Sequence, residues 1–337
     1  MLASPLAGFT QATRLLRLST PLGENHLLAE CVRGEEGLSQ GFTFQIAALS
    51  TDASISLRAL IGQPALLELL TATSTDDWCP FHGHITAVER VGANGGLARY
   101  HLVVQPWTAF LARGRDSRVF QDMTVCDILN ALFAAYQGQG KLAPAWRFDI
   151  AERAVYSPRS LTTQYQESDL AFAERLMLEE GLFYYFEHTG DASSPSLGSH
   201  TLVIADHNGA FAPNVQSAVN FTQPGAVMKV DSIDRWRTEW RQQTNAIEMG
   251  SWDYRSLDQR PVAAYGDASG ATLLSRDAPG AYAYASREQG QRIAVRQLQA
   301  LQAGKEVHVG AGTVRTLSPG TTFSLHGHAL FDAAGGD

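Results

Sequence analysis

Gly37-Leu38-Ser39-Gln40-Gly41 sets a serine at the centre of G-x-S-x-G, the spacing by which α/β-hydrolases lift a nucleophilic hydroxyl above a sheet on a sharp strand-to-helix turn. The chemistry would be acyl transfer, with later Asp and His residues completing a triad. The surroundings oppose that reading. Gly34-Glu35-Glu36 is unsuited to a buried central strand. On the other side Phe42, Phe44 and Ile46 alternate with Thr43, Gln45 and Ala47, the period of a half-buried strand where a helix would be required. The pattern predicts a turn at Ser39 and no catalytic role.

Two histidine pairs raise the question of a metal. His82/His84 and His326/His328 stand at i and i+2, so each pair shares one face of a strand, and the two together would offer four nitrogen donors. Neither pair has a Cys, Asp or Glu at a ligand spacing, and HExxH is absent. The pairs are therefore expected on sheet surfaces, bonded to backbone or water. Glu35-Glu36 and Glu179-Glu180 are adjacent carboxylates that point in different directions, and both pairs are expected to be solvated, the second on the polar face of a helix. There is no Walker loop, no G-x-G-x-x-G after a strand and no basic patch with interleaved aromatics. No cofactor, metal or catalytic residue is assigned. The alternative from another class is a β-barrel esterase or metallohydrolase using Ser39 or the two histidine pairs, distinguishable by ester turnover and metal content.

The elements that would position these groups are mostly strands. Up to about Ala112, Pro64-ALLELL, FHGHITAVERV and ARYHLVVQPW are short strand candidates, with GANGG (92–96) a hairpin turn. Such spacing points to an antiparallel sandwich or barrel. The period then changes. Thr124 and Asp127 suggest a capping box for a helix carrying Val125, Ile128, Leu129, Leu132 and Phe133, with a stop at Gly138. A second helix is predicted from Ser168 to Gly181, followed directly by the strand LFYYFEH. Its aromatics alternate, so both faces should be covered. GDASSPSLGS (190–199) reads as a linker or disordered tip. Strand signals resume at HTLVIAD. A third helix opens at Ser286 with Gln289 completing its box, turns Ile293, Ala294, Leu298 and Leu301 inward, and stops at Gly304; the end is strand again. HGH recurs at 82–84 and 326–328, a hint of duplication.

Composition bounds the function. The 337 residues carry 26 Lys+Arg against 34 Asp+Glu, a net charge of −8, which provides no footprint for nucleic acid or an anionic membrane surface. Charged residues make up 18% of the chain, below the roughly 25% of soluble domains, so surface buried between subunits is expected. Cys31, Cys79 and Cys126 lack any C-x-x-C and are expected as reduced, mostly buried thiols. No apolar run approaches a membrane span, so no stable membrane insertion is expected. The N-terminus has no secretory pattern; a protein that leaves the cell would need another carrier.

Taken in order, PLG (21–23), Gly34-x-Glu36-x-x-Ser39 running into FTF, GQP (62–64), FHGHITAVE, QPWTAFLARGRDSRVFQDMTVCDIL and TTQYQESDLAFAERLMLEEGLFYYFEH resemble the N-terminal region of the VgrG family, the spike proteins of bacterial type VI secretion systems. The resemblance runs from about Leu15 to His328, and its two long segments are its specific part. It implies a mainly β, α+β fold like the hub of contractile phage tails: two related antiparallel β-barrels with α/β insertions. The expected division is 1–112 for the first barrel, 113–199 for an α/β insertion, and 200–337 for the second barrel, with a helical insertion at about 246–304. It also implies a homotrimer that caps a hexameric Hcp tube, contacts baseplate components, and carries a PAAR tip protein and effectors through a needle region. This sequence ends at GHALFDAAGGD, before any needle repeat, so the second barrel is expected to be truncated. Assembly would be cytoplasmic and export would go through the machine itself. For the subunit contact, Phe183 and Tyr185 are the candidates, on the face of LFYYFEH opposite Leu182, Tyr184 and Phe186, with coverage inside the monomer the alternative.

Overall fold

The computed structural model describes residues 10–329 apart from 73–75, 95, 223–229, 256, 268–269 and 282. The expected truncation of the last strands concerns residues beyond 329 and lies outside the described residues.

The first third of the chain is one antiparallel sheet. Its strands are β1 (Leu16–Ser19), β2 (Leu28–Gly37), β3 (Gln40–Ser50), β4 (Pro64–Leu70), β5 (Trp78–Asn94) and β6 (Leu97–Gln105), with the single turn α1 (Leu57–Leu60) between β3 and β4. They pair in the order β1-β4-β5-β6-β3-β2. The outer strands β1 and β2 also touch, so the sheet curls back on itself. Bulges at Ala29/Cys31, Glu35/Gly37, Ile85/Ala87 and Arg90/Gly92 supply that curvature, because an extra residue in one strand bends it and sharpens its twist. The alternation in β3 is obeyed: Phe42, Phe44 and Ile46 are buried. Asn94 pairs with Leu97, so the hairpin predicted at 92–96 closes where expected, although residue 95 is not among the described residues.

Beyond the single turn α2 (Thr108–Leu111) come β7 (Asp116–Phe120), α3 (Val125–Ala134), β8 (Ala145–Asp149), β9 (Thr162–Glu167), α4 (Asp169–Glu180), β10 (Phe183–Gly190) and β11 (Gly198–Ala205). The cap of α3 is complete: Thr124 Oγ1 accepts from the Asp127 N–H, and the Asp127 carboxylate accepts from the Thr124 N–H. Ser168 caps α4, and Gly181, at φ 74°, ends it in the left-handed conformation that costs glycine least. Strands β10, β11 and β8 form one small sheet, β7 and β9 another. Leu132 of α3 and Leu176 of α4 are fully buried. They belong to a core that runs without a break from Phe42, Tyr100 and Trp107 through Leu129 and Phe172 to Leu202, so the first sheet and the α/β segment share one interior. The stretch 190–199 is a correction. It is no linker: β10 and β11 pair residue for residue from Phe183↔Ala205 to Gly190↔Gly198, and 191–197 is their loop. Residue 199 therefore lies inside a paired hairpin that continues to Ala205.

The remaining strands are β12 (Ala212–Phe221), β13 (Ser232–Trp240), β14 (Ala246–Asp253), β15 (Asp258–Tyr265), β16 (Leu274–Ala281), β17 (Glu306–Gly312) and β18 (Thr321–His326), with α5 (Arg287–Gln302). One sheet has the order β17-β13-β12-β18, in which β12 runs parallel to both neighbours. The other, β15-β14-β16, is covered by α5, and the segment expected as a helical insertion is thus a three-stranded sheet with one helix on it. A small second core of Ile247, Met249, Val262, Tyr284, Ala294 and Leu298 fills that layer. Leu301, expected inward, is 41% exposed on the last turn of α5.

Candidate functional site

Ser39 sits in the two-residue turn of the β2–β3 hairpin at φ 54°, and its N–H donates to the Tyr184 carbonyl at 2.7 Å. A strand precedes it and a strand follows, so no helix N-terminus stands behind the hydroxyl and the nucleophile elbow is absent. The serine pins the turn to β10. It is a structural contact.

The histidine pairs are not brought together. His326 is exposed, and His328 lies edge-on to Phe221, ring centroids 4.7 Å apart. His82 and His84 are buried, against the expectation of a sheet surface, and meet His188 and His200 instead. Those two partners sit on β10 and β11, and sequence spacing carried no signal for them because the contact spans more than a hundred residues. Among the described residues no group of three or more His, Cys, Asp or Glu is arranged to hold a metal ion.

Of the paired carboxylates, Glu35 and Glu179 are exposed as expected, whereas Glu36 and Glu180 depart from the solvated reading. Glu180 is 3% exposed. Its carboxylate is held by Arg159 at 2.6 Å and by Arg292 of α5, whose guanidinium also donates to the Glu180 carbonyl at 3.0 Å. Glu36 bonds His188 Nε2 at 2.9 Å. Both carboxylates are spent on holding elements together. The three thiols are free; only Cys126 is fully buried, Cys31 is exposed, and burial with Glu36 and Asp77 nearby pushes the Cys79 thiol up to about 11. Burial raises the Cys126 thiol as well, so neither it nor Cys79 is a poised nucleophile.

What remains is surface and seams. An open groove of about 520 Å³ runs between the first sheet, at Val32, Phe44 and Leu67, and the segment carrying Leu317, Pro319 and Phe323. The Tyr185 side chain is 2% exposed, its hydroxyl donating to the Ala210 carbonyl at 2.9 Å. A Cβ on Gly320 would come within 2.3 Å of its ring, so the turn before β18 closes directly on that ring. Phe183 is half-buried beside Phe211, centroids 5.4 Å apart. Both faces of β10 are thus engaged within the chain, more fully at Tyr185 than at Phe183. Apolar side chains are left outside at both ends of the β14–β15 hairpin: Trp252 (40%), Tyr254 (64%) and Leu257 (74% exposed) at its turn, and Tyr265 (67%), opposite Ala246, at the other end. On β16 every residue is exposed.

The model of the phage tail baseplate hub family matches residues 35–337. The chain is 28% identical over 328 residues to the type VI secretion system spike protein VgrG1b of Pseudomonas aeruginosa, covering 96% of this chain and 42% of that protein. Against VgrG1a of the same organism it is 27% identical over 333 residues, covering 96% and 48%. The chain therefore spans less than half the length of these curated relatives. Among solved structures, the E. coli c3393 protein, a type VI secretion component described as similar to T4 bacteriophage tail proteins gp27 and gp5, superposes with a TM-score of 0.66 at 18% identity, covering 93% of this chain and 67% of that one. The tail protein of Neisseria meningitidis MC58 gives 0.62 at 13%, covering 92% and 86%.

Proposed function

The chain belongs to the phage tail baseplate hub family, and from that premise we propose that it is the hub portion of a type VI secretion spike, a mechanical adaptor in a contractile injection machine. The observation that carries this reading is the family match over residues 35–337, together with a curled six-stranded sheet where a hub barrel is required. Three copies would form the ring, each contributing the first sheet and, as a second barrel, the β12–β13–β17–β18 sheet. The ring would convert threefold symmetry on the needle side to sixfold symmetry on the side of the Hcp tube. Baseplate components would contact its rim. A PAAR tip protein and effectors would be borne by sequence equivalent to the part of the relatives that this chain does not span. The protein would assemble in the cytoplasm and leave with the machine; among the described residues no helix is long and apolar enough to cross a membrane.

A subunit contact through β10 would rest on Phe183, since Tyr185 is enclosed by Ala210 and Gly320. The exposed Trp252 and Tyr254, ring centroids 6.3 Å apart, add a second apolar contact candidate. The test is secretion: in cells lacking the gene, Hcp should be missing from the culture medium, and the full-length protein should restore it. Unchanged Hcp release in the deletion would overturn the assignment. The hydrolase alternative has no geometry behind it, because Ser39 lies in a hairpin turn and the two histidine pairs are separate.

A further inference from the structure

Four imidazoles meet where the β10–β11 hairpin lies on the six-stranded sheet: His82 and His84 from β5, His188 from β10 and His200 from β11. Ring centroids are 5.1 Å apart for His82–His200, 5.6 Å for His84–His200 and 6.0 Å for His82–His84. Their hydrogen bonds fix the protons. The Trp107 N–H can only donate, so His200 Nε2 accepts from it at 2.8 Å. Neutral His200 then carries its proton on Nδ1 and donates to His82 Nδ1, 2.8 Å away. His82 must in turn hold its proton on Nε2, which donates to the Ser196 carbonyl at 2.8 Å.

Each of these bonds crosses the seam. Ser196 and His200 belong to the hairpin and its loop; His82 and Trp107 belong to the sheet side. His188 of the hairpin adds two more, Nδ1 accepting from the His82 N–H at 3.1 Å and Nε2 reaching Glu36 of β2 at 2.9 Å. A further proton on His82 or His200 would set two N–H groups face to face at a distance that demands one acceptor. His84 is 1% exposed; the Gly62 backbone lies near its ring, but neither ring nitrogen has a partner in good hydrogen-bonding geometry.

The surroundings offer little to stabilise a charge. Phe42 of β3, Phe186 of β10 and Phe110 of α2 pack their rings on the cluster. Strand β4 opposes His82 with Leu66 and His84 with Pro64. Glu36 is engaged with His188, Glu187 of β10 with Arg147, and the Cys79 thiol of β5 stays protonated. Burial, reinforced by the neighbouring imidazoles, holds His84 down at about 4 and His200 well below the ordinary range, and burial lowers His82 as well.

We propose that this cluster is an acid-sensitive latch: the neutral imidazoles of His82 and His200 clamp the β10–β11 hairpin to the sheet, and protons entering the cluster loosen that seam. The sign follows from linkage. A loosened seam exposes ordinary histidines that take up protons near pH 6.5, whereas the docked rings of His82, His84 and His200 resist them, so docking is complete above that pH and is lost as pH falls toward 4.

The experiment follows the unmodified chain from pH 7.5 to 4.5 by hydrogen exchange, corrected for the chemical exchange rate, and by ¹⁵N spectra of the imidazoles. The latch requires protection of the 183–205 peptides to fall at least tenfold near pH 5, with the 246–265 and 287–302 peptides, which pack on a separate core, unchanged. The rings of His82 and His200 must protonate at the same midpoint. Three results would overturn it: ring protonation without loss of protection, loss of protection throughout the chain at one midpoint, or no change in either signal down to pH 4.5.

Discussion

At the scale of single residues, three polar groups expected in solvent, Glu180, His82 and His84, are buried and used by the interior. Arg292 reaches from α5 to the buried carboxylate of Glu180 and lies 4.8 Å over the Tyr156 ring. Arg292→Met should cost about 3 kcal/mol in urea unfolding, the low end for breaking a buried pair, because Arg159 still faces the carboxylate. A cost under about 1 kcal/mol would mean that water screens the bridge. His84 touches the Gly62 backbone but makes no hydrogen bond of good geometry. Its depressed proton affinity means that the unfolded chain gains protons first on acidification, so the residue removes stability as pH falls from 6.5 toward 4. His84→Leu should therefore leave stability at pH 7 unchanged or higher and recover about 2 kcal/mol at pH 5 relative to wild type. Equal losses from pH 7 to pH 5 in both proteins would refute this.

At the scale of elements, caps and faces decide. The Thr124–Asp127 box closes two orphan N–H groups of α3, and Thr124→Ala should cost about 1 kcal/mol. Leu132→Ala or Leu176→Ala, each at 0% exposure, should cost about 2–5 kcal/mol, and a loss below about 0.5 kcal/mol would mean the helix faces are wrongly assigned. Two glycines separate backbone strain from packing. Gly138 and Gly320 share a left-handed φ, 74° and 78°, but a Cβ on Gly138 meets open space whereas one on Gly320 meets the Tyr185 ring. Gly138→Ala should cost about 1 kcal/mol from conformation alone. Gly320→Ala should cost more than that in chemical unfolding, and equal costs would show that the turn before β18 does not bear on Tyr185.

For the whole molecule, the shared core predicts how it comes apart. Because Phe42 and Phe172 lie in one interior, limited proteolysis should leave residues up to about Ala205 as one resistant piece and cut downstream of it. Early cleavage near 112 would oppose this. Association is read by light scattering, where a ring of three copies has about three times the 36.5 kDa chain mass. Phe183→Asp should shift it toward monomer if β10 takes part in the contact, and an unchanged trimer would remove that strand from the interface.

The sequence by itself determined what repeats locally. The inward Phe42-Phe44-Ile46 face, the boxed start of α3, the Ser168–Gly181 limits of α4 and the turn at Ser39 all follow from period and capping chemistry within a few residues. The ordered segments also sufficed for the hub resemblance, which the family match bears out. Strands β7, β8 and β9 escaped notice, since they are five or six residues long with few buried side chains. Only the tertiary structure decided that 190–199 is a hairpin loop, that Glu180 is buried, and that His82 answers to His200 rather than to His326. The physical reason is the same in each case. A hydrogen bond or a burial between residues a hundred positions apart is set by how layers stack, and no local periodicity encodes the partner.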